Sequence, residues 1–169
     1  VIRYKNVRDK AMDKAVDVPA SSFLGLGVPY RHVPAGAPLE DDLWVQGVEV
    51  RPDYRAVVHH VIVYMLPPKA TGLTDDAFAR YTLASYVPGD QPVMYPEGMA
   101  KKVPKGTRLL FEMHYTPNGT PGKDRSAVGL VLAKAPPARE VKGDAAFNGE
   151  FKIPPGADNH KVTATHTFE

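Results

Sequence analysis

Apolar residues in this chain fall into short runs, most of strand length, separated by Pro and Gly. Leu43-Trp-Val-Gln-Gly-Val-Glu-Val50 is the first clear strand. Its alternation is incomplete, and Gly47 is expected to mark a bulge or a close backbone approach. Arg51-Pro-Asp-Tyr54 reads as a turn with Pro in a favoured position. The chain then enters Ala56-Val-Val-His-His-Val-Ile-Val-Tyr-Met65, and the two strands are expected to pair as a hairpin. This second run is rich in β-branched residues, the pattern of a strand buried on both faces, with two histidines at its centre. Arg108-Leu-Leu-Phe-Glu-Met-His-Tyr115 alternates well. Leu109, Phe111, Met113 and Tyr115 form its core face, and Arg108, Leu110, Glu112 and His114 form the other.

Further strands are expected over Ala127–Ala133, Ala146–Ile153 and Lys161–Phe168. Pro136-Pro137 and Pro154-Pro-Gly156 close the first two. Thr74-Asp-Asp is suited to cap a short helix running to about Arg80, and Tyr81–Tyr86 is an alternative extended piece. Residues 1–20 are charged and only weakly periodic, so a poorly packed leader is expected there. Ser21–Leu39 is rich in Gly and Pro, with an extended piece around Val28–Val33. Strands at short spacing split by Pro/Gly turns predict an all-β fold, an antiparallel, jelly-roll-like sandwich with at most one short helix. The expected division is 1–40 as leader or linker with extended segments and 41–169 as the sandwich domain.

Composition narrows this picture. A chain of 169 residues with 43% hydrophobic and 24% charged residues suits one soluble domain with a real core. Its 17 prolines, about twice the usual frequency, disfavour a helical bundle. A net charge of +2 gives no argument for nucleic acid or membrane surfaces. No apolar run approaches the ~20 residues of a membrane-spanning helix. With no cysteine, disulfides and thiolate metal sites are excluded. The first residues, Val1-Ile-Arg-Tyr-Lys5, do not read as a signal peptide.

The histidines carry the candidate chemistry. Buried imidazoles need partners, and one metal ion satisfies several at once. We expect His59, His60 and His114 to meet and hold one ion. Adjacent strand residues point to opposite faces, so His59 and His60 converge only if the strand bulges. The alternative is one buried, hydrogen-bonded histidine beside an exposed one, and spacing alone leaves both open. Three imidazoles without thiolate suit copper, zinc or nickel, and copper(II) has the highest intrinsic affinity. Such a set leaves coordination positions open. His32 reads as solvent-facing, His160 as a turn residue and His166 as a core or interface histidine. Met94, Met99 and Met113 are conceivable soft copper(I) ligands, but core packing is the simpler reading. Glu97 and Glu112 show no pairing pattern for acid–base work. No nucleophile elbow or Gly-rich phosphate loop is present.

The ordered set of His-His in a Val/Ile strand, Met-His-Tyr, a polar loop ending Lys-Asp-Arg-Ser-Ala-Val-Gly-Leu130, and Ile-Pro-Pro-Gly156 resembles a known family. It is similar to the N-terminal domain of the copper type II, ascorbate-dependent monooxygenases, which include peptidylglycine α-hydroxylating monooxygenase and dopamine β-hydroxylase. Val57–Tyr64 and Tyr95-Pro-Glu-Gly-Met99 look most like bacterial members. The resemblance spans Trp44 to Phe168. It implies two β-sandwich domains with one copper each. The N-terminal copper supplies electrons and is held, by motif, at His59, His60 and His114. The C-terminal copper, on a His-x-His pair and a Met, binds oxygen and hydroxylates a C–H bond. His160 and His166 do not match that pattern, so this chain is expected to lack the catalytic domain, its natural partner, and not to hydroxylate by itself. Ascorbate is implied as the external reductant, and an exported location, periplasmic or extracellular, is implied too. Animal members use disulfides, and this chain departs from them. The competing expectations are a non-catalytic binding or interaction sandwich with structural histidines, and a zinc-binding module without redox function.

Overall fold

The computed structural model describes residues 7–22, 28–74 and 77–167. They form strands β1 (Val7–Ala11), β2 (Val16–Val18), β3 (Arg31–Ala35), β4 (Leu43–Arg51), β5 (Val58–Leu66), β6 (Thr82–Tyr86), β7 (Val93–Met94), β8 (Met99–Val103), β9 (Arg108–Tyr115), β10 (Gly122–Asp124), β11 (Ala127–Leu132) and β12 (Arg139–Glu140), with one short helix, α1 (Ala77–Tyr81). The fold is an all-β sandwich. A six-stranded sheet runs β1-β11-β4-β8-β12, with β7 also on β4; a four-stranded sheet runs β3-β9-β5-β6; β2 and β10 form a separate pair. The pairings are antiparallel except β12 on β8.

Alternating side chains from the two sheets meet in one core. Val33, Val61, Val63, Leu109, Phe111, Met113 and Tyr115 come from the four-stranded sheet, and Val45, Val48, Val50, Val103, Val128 and Leu130 from the six-stranded one. Leu109, Phe111, Met113 and Tyr115 are buried, as their alternation requires. Each large apolar side chain fully buried in this way contributes ~1.5–3 kcal/mol. Gly47 lies against β7, where a Cβ would overlap the Met94 sulfur. Beside it the β4–β11 register shifts, so both the bulge and the close approach occur at this point.

Three expectations are corrected. The strands flanking the Arg51–Tyr54 turn do not form a hairpin, because β4 pairs with β11, β7 and β8 while β5 pairs with β9 and β6. Both strands carry apolar faces that must cover one core, and the turn carries the chain from one layer to the other. Within the described part of the expected leader, residues 7–20 are not poorly packed: β1 extends the larger sheet and Met12 is fully buried, while β3 takes up the extended piece expected near Val28–Val33 and extends the smaller sheet. The periodicity of β1 is weak because an edge strand exposes most of its side chains. Finally, residues 146–153 and 161–167 form no strand, and most are exposed. Alternation alone does not make a strand where no sheet edge accepts it. Phe168 lies outside the described residues. The segment after Thr74 resolves both alternatives, since α1 ends at Tyr81 and β6 begins at Thr82. The proposed capping residues Asp75 and Asp76 lie outside the described residues.

Candidate metal centre

β5 and β9 are neighbours in the middle of the four-stranded sheet, and each brings histidine to its outer face. Val58 lies opposite Tyr115 and His60 opposite His114, so two steps on β5 match one on β9. His59 is the extra residue of a β-bulge. A bulge bends its strand and re-aims the side chain, which is how both members of the doublet reach one side.

The three rings converge. Their centroids are 5.3 Å apart for His59 and His60, 5.1 Å for His59 and His114, and 4.9 Å for His60 and His114. One nitrogen from each lies within 4.8 Å of the other two, so the group could hold a metal ion. His59 Nδ1 and His60 Nδ1 are 3.2 Å apart. Two nitrogens bound tetrahedrally to one ion at ~2.0–2.1 Å lie ~3.3 Å from each other. His114 Nδ1 is buried without a hydrogen-bond partner. A buried ring nitrogen without a partner is costly, and a coordinated cation would satisfy it. The donor set therefore fits a metal. His59 is exposed and the other two are half-buried, so one side of the group faces solvent.

The surroundings favour the neutral form of two of the rings, His60 and His114. Burial lowers the pKa of His60 below its usual 6.5, and repulsion from His114 and His59 lowers it further, against the opposing charge of Glu112. His114 is lowered by burial and by His59, again opposed by Glu112. Neutral imidazole is the form that binds metal. Tyr30 lies over the cluster. It stacks on His114 at 4.5 Å and 11°, and its ring is 5.6 Å from that of His60. Glu112, two residues before His114, accepts from His32 Nε2 at 2.8 Å and from the Tyr64 hydroxyl at 3.4 Å. Burial, and then the Glu112 charge, push the Tyr64 hydroxyl up to about 12.

Nothing along the chain singles out Tyr30 or Glu112 for this site. Tyr30 is one aromatic in a Gly/Pro-rich stretch, and Glu112 pairs with residues far along the chain. His32 is partly exposed, as expected, but is tied to Glu112. His166 does not sit in a core strand; its Nε2 pairs with Asp144 at 2.8 Å. His160 is exposed beside a bend. Met113 points into the core, and Met94 and Met99 belong to the other sheet, so none of the three joins the histidines. No protein-family model matches the chain, and no curated protein matches it.

Proposed function

We propose that this chain is the electron-supplying copper module of an ascorbate-dependent, C–H-hydroxylating monooxygenase, working with a separate oxygen-binding copper domain. The observation that supports this most is the convergence of three imidazoles from a bulged strand and its neighbour. His59, His60 and His114 would hold the ion. Bound copper would supply a one-electron couple between its two oxidation states. The protein's own groups set the conditions for that. His59 leaves the centre open to solvent, where a small anionic reductant of the ascorbate class can approach. His60 and His114 face each other across the β5–β9 ladder, and burial favours their neutral form. Tyr30 covers one face of His114, and the Glu112 carboxylate partly offsets the charge of a cation. The same reading assigns the protein to an exported compartment and gives this module no hydroxylation of its own.

The test is copper loading of the purified protein. One copper ion per chain is expected, reducible by ascorbate, with an electron paramagnetic resonance (EPR) spectrum of nitrogen coordination. In His114→Ala the affinity should fall by about 100-fold or more, beyond the effect of losing an outer hydrogen-bond partner. Unchanged stoichiometry and affinity in that variant would overturn the site. Preference for zinc over copper, with no reduction by ascorbate, would overturn the redox role.

A further inference from the structure

The Lys123-Asp124-Arg125-Ser126 stretch touches no metal-site ring, yet it contains a fully buried carboxylate. Asp124 Oδ1 accepts the Tyr54 backbone N–H at 2.8 Å, and Oδ2 accepts the Tyr115 hydroxyl at 3.0 Å. The Ser126 hydroxyl lies 3.0 and 2.9 Å from the two oxygens. A carboxylate so enclosed is tolerated only when its lone pairs are satisfied, so these bonds also fix their donors in place.

Two of the donors belong to the ends of the histidine strands. Tyr54 is the corner leading into β5, and its carbonyl accepts the N–H groups of Val57 and Val58 at 3.1 and 3.2 Å. Tyr115 follows His114 and lies opposite Val58. The path from Asp124 through Tyr54, Val58 and Tyr115 back to Asp124 is therefore closed. Other contacts hold the corner to the same segment. Arg125 N–H donates to Asp53 Oδ2 at 3.2 Å, Asp53 N–H to Ser126 Oγ at 3.4 Å, and the Tyr54 hydroxyl to the Thr120 carbonyl at 3.3 Å. The Tyr54 ring packs on Gly122, where a Cβ would overlap it.

We propose that Asp124 is a positioning residue for the metal centre, pinning the Val58–Tyr115 register so that the surplus residue of β5 bulges at His59. On the far side of the bulge the ladder from His60–His114 to Leu66–Arg108 holds the register independently. With both ends fixed, the extra residue has nowhere else to go. If the near end is released, the strand can slide by one position. A slip of one residue sends a side chain to the opposite face, and His59 leaves its two partners. Asp124 acts through the Tyr54 backbone N–H and the Tyr115 hydroxyl, the second of these on the residue that follows His114. The inference rests on the three-histidine reading above.

Two variants and one control test it. Asp124→Asn keeps the size of the group, and Tyr115→Phe removes one bond while leaving the ring packed. Val128→Ala weakens the core without touching the circuit. Copper affinity by chelator competition and EPR spectra are compared among the three. Asp124→Asn should lose affinity by about tenfold or more and give a mixture of copper species. Tyr115→Phe should shift the same way by less, and Val128→Ala should keep the wild-type spectrum. Wild-type affinity and spectrum in Tyr115→Phe overturn the inference, whether or not Asp124→Asn folds. A metal-independent measurement separates this from failure of the copper reading. In the metal-free protein, the Val58 amide, which donates to the Tyr54 carbonyl, and the Thr116 amide, which donates to the Val57 carbonyl at 2.8 Å, should exchange faster in Tyr115→Phe than in wild type. Unchanged exchange overturns the register claim even if copper binds, and faster exchange upholds it even if wild type binds no copper.

Discussion

His60 and His114 face each other directly across the β5–β9 ladder, while His59, inserted beside them, has no opposite residue on β9. The pair is a product of ordinary antiparallel register. The third ligand candidate is a product of a local fault in that register. The two parts of the centre should therefore respond differently to mutation.

Deletion of His59 should heal the bulge and leave the His60–His114 pair in place. The variant is expected to fold, because Val58, Val61 and Val63 keep their core positions on either side of the lesion. Copper should still bind, but about 10- to 100-fold more weakly, with fewer coordinated nitrogens. EPR of the copper-loaded variant is the check, and a wild-type spectrum would show that the bulge is not needed.

Tyr30→Ala removes the ring stacked on His114. Aromatic pairs of this kind contribute ~0.5–1.5 kcal/mol beyond area burial. The metal-free protein should lose about that much in denaturant unfolding, and Tyr30→Phe should lose almost none. Equal losses in both would mean that the hydroxyl, not the stacked ring, matters.

The lowered pKa values of His60 and His114 fix the sign of the acid response. Just below pH ~6.5 the unfolded chain takes up protons that the native rings refuse, so stability rises with pH in that window. The contribution is complete above ~6.5 and is lost as pH falls through the depressed native values. Thermal unfolding of the metal-free protein between about pH 7.5 and about pH 5 should show the decline. A His60→Gln/His114→Gln double variant should show a flatter profile, and an identical slope would contradict the burial argument.

Gly47→Ala places a methyl group where the Met94 sulfur and the Val93 carbonyl already lie. Overpacking of this kind costs ~1–3 kcal/mol, read as a lower denaturation midpoint. The β4–β7 contact is in the other sheet, so copper affinity should not change.

Much of this was legible along the chain, and the limits are physical. Alternation from Leu109 to Tyr115 determined which side of β9 is core and left His114 on the other side. The Val/Ile run around the doublet determined a strand inside a sheet, and the absence of cysteine left imidazole as the available nitrogen-rich donor set. Apolar periodicity reports which residues seek the interior, but it carries no record of which edge a strand will meet. Tertiary structure therefore decided that β4 and β5 lie in opposite layers, that β1 and β3 join the sheets, and that residues 146–153 and 161–167 stay outside them. It also decided the bulge at His59, because a local period of two predicts regular strands. That fault arises only when Tyr54, Asp124 and Tyr115, distant in sequence, close on one point in space.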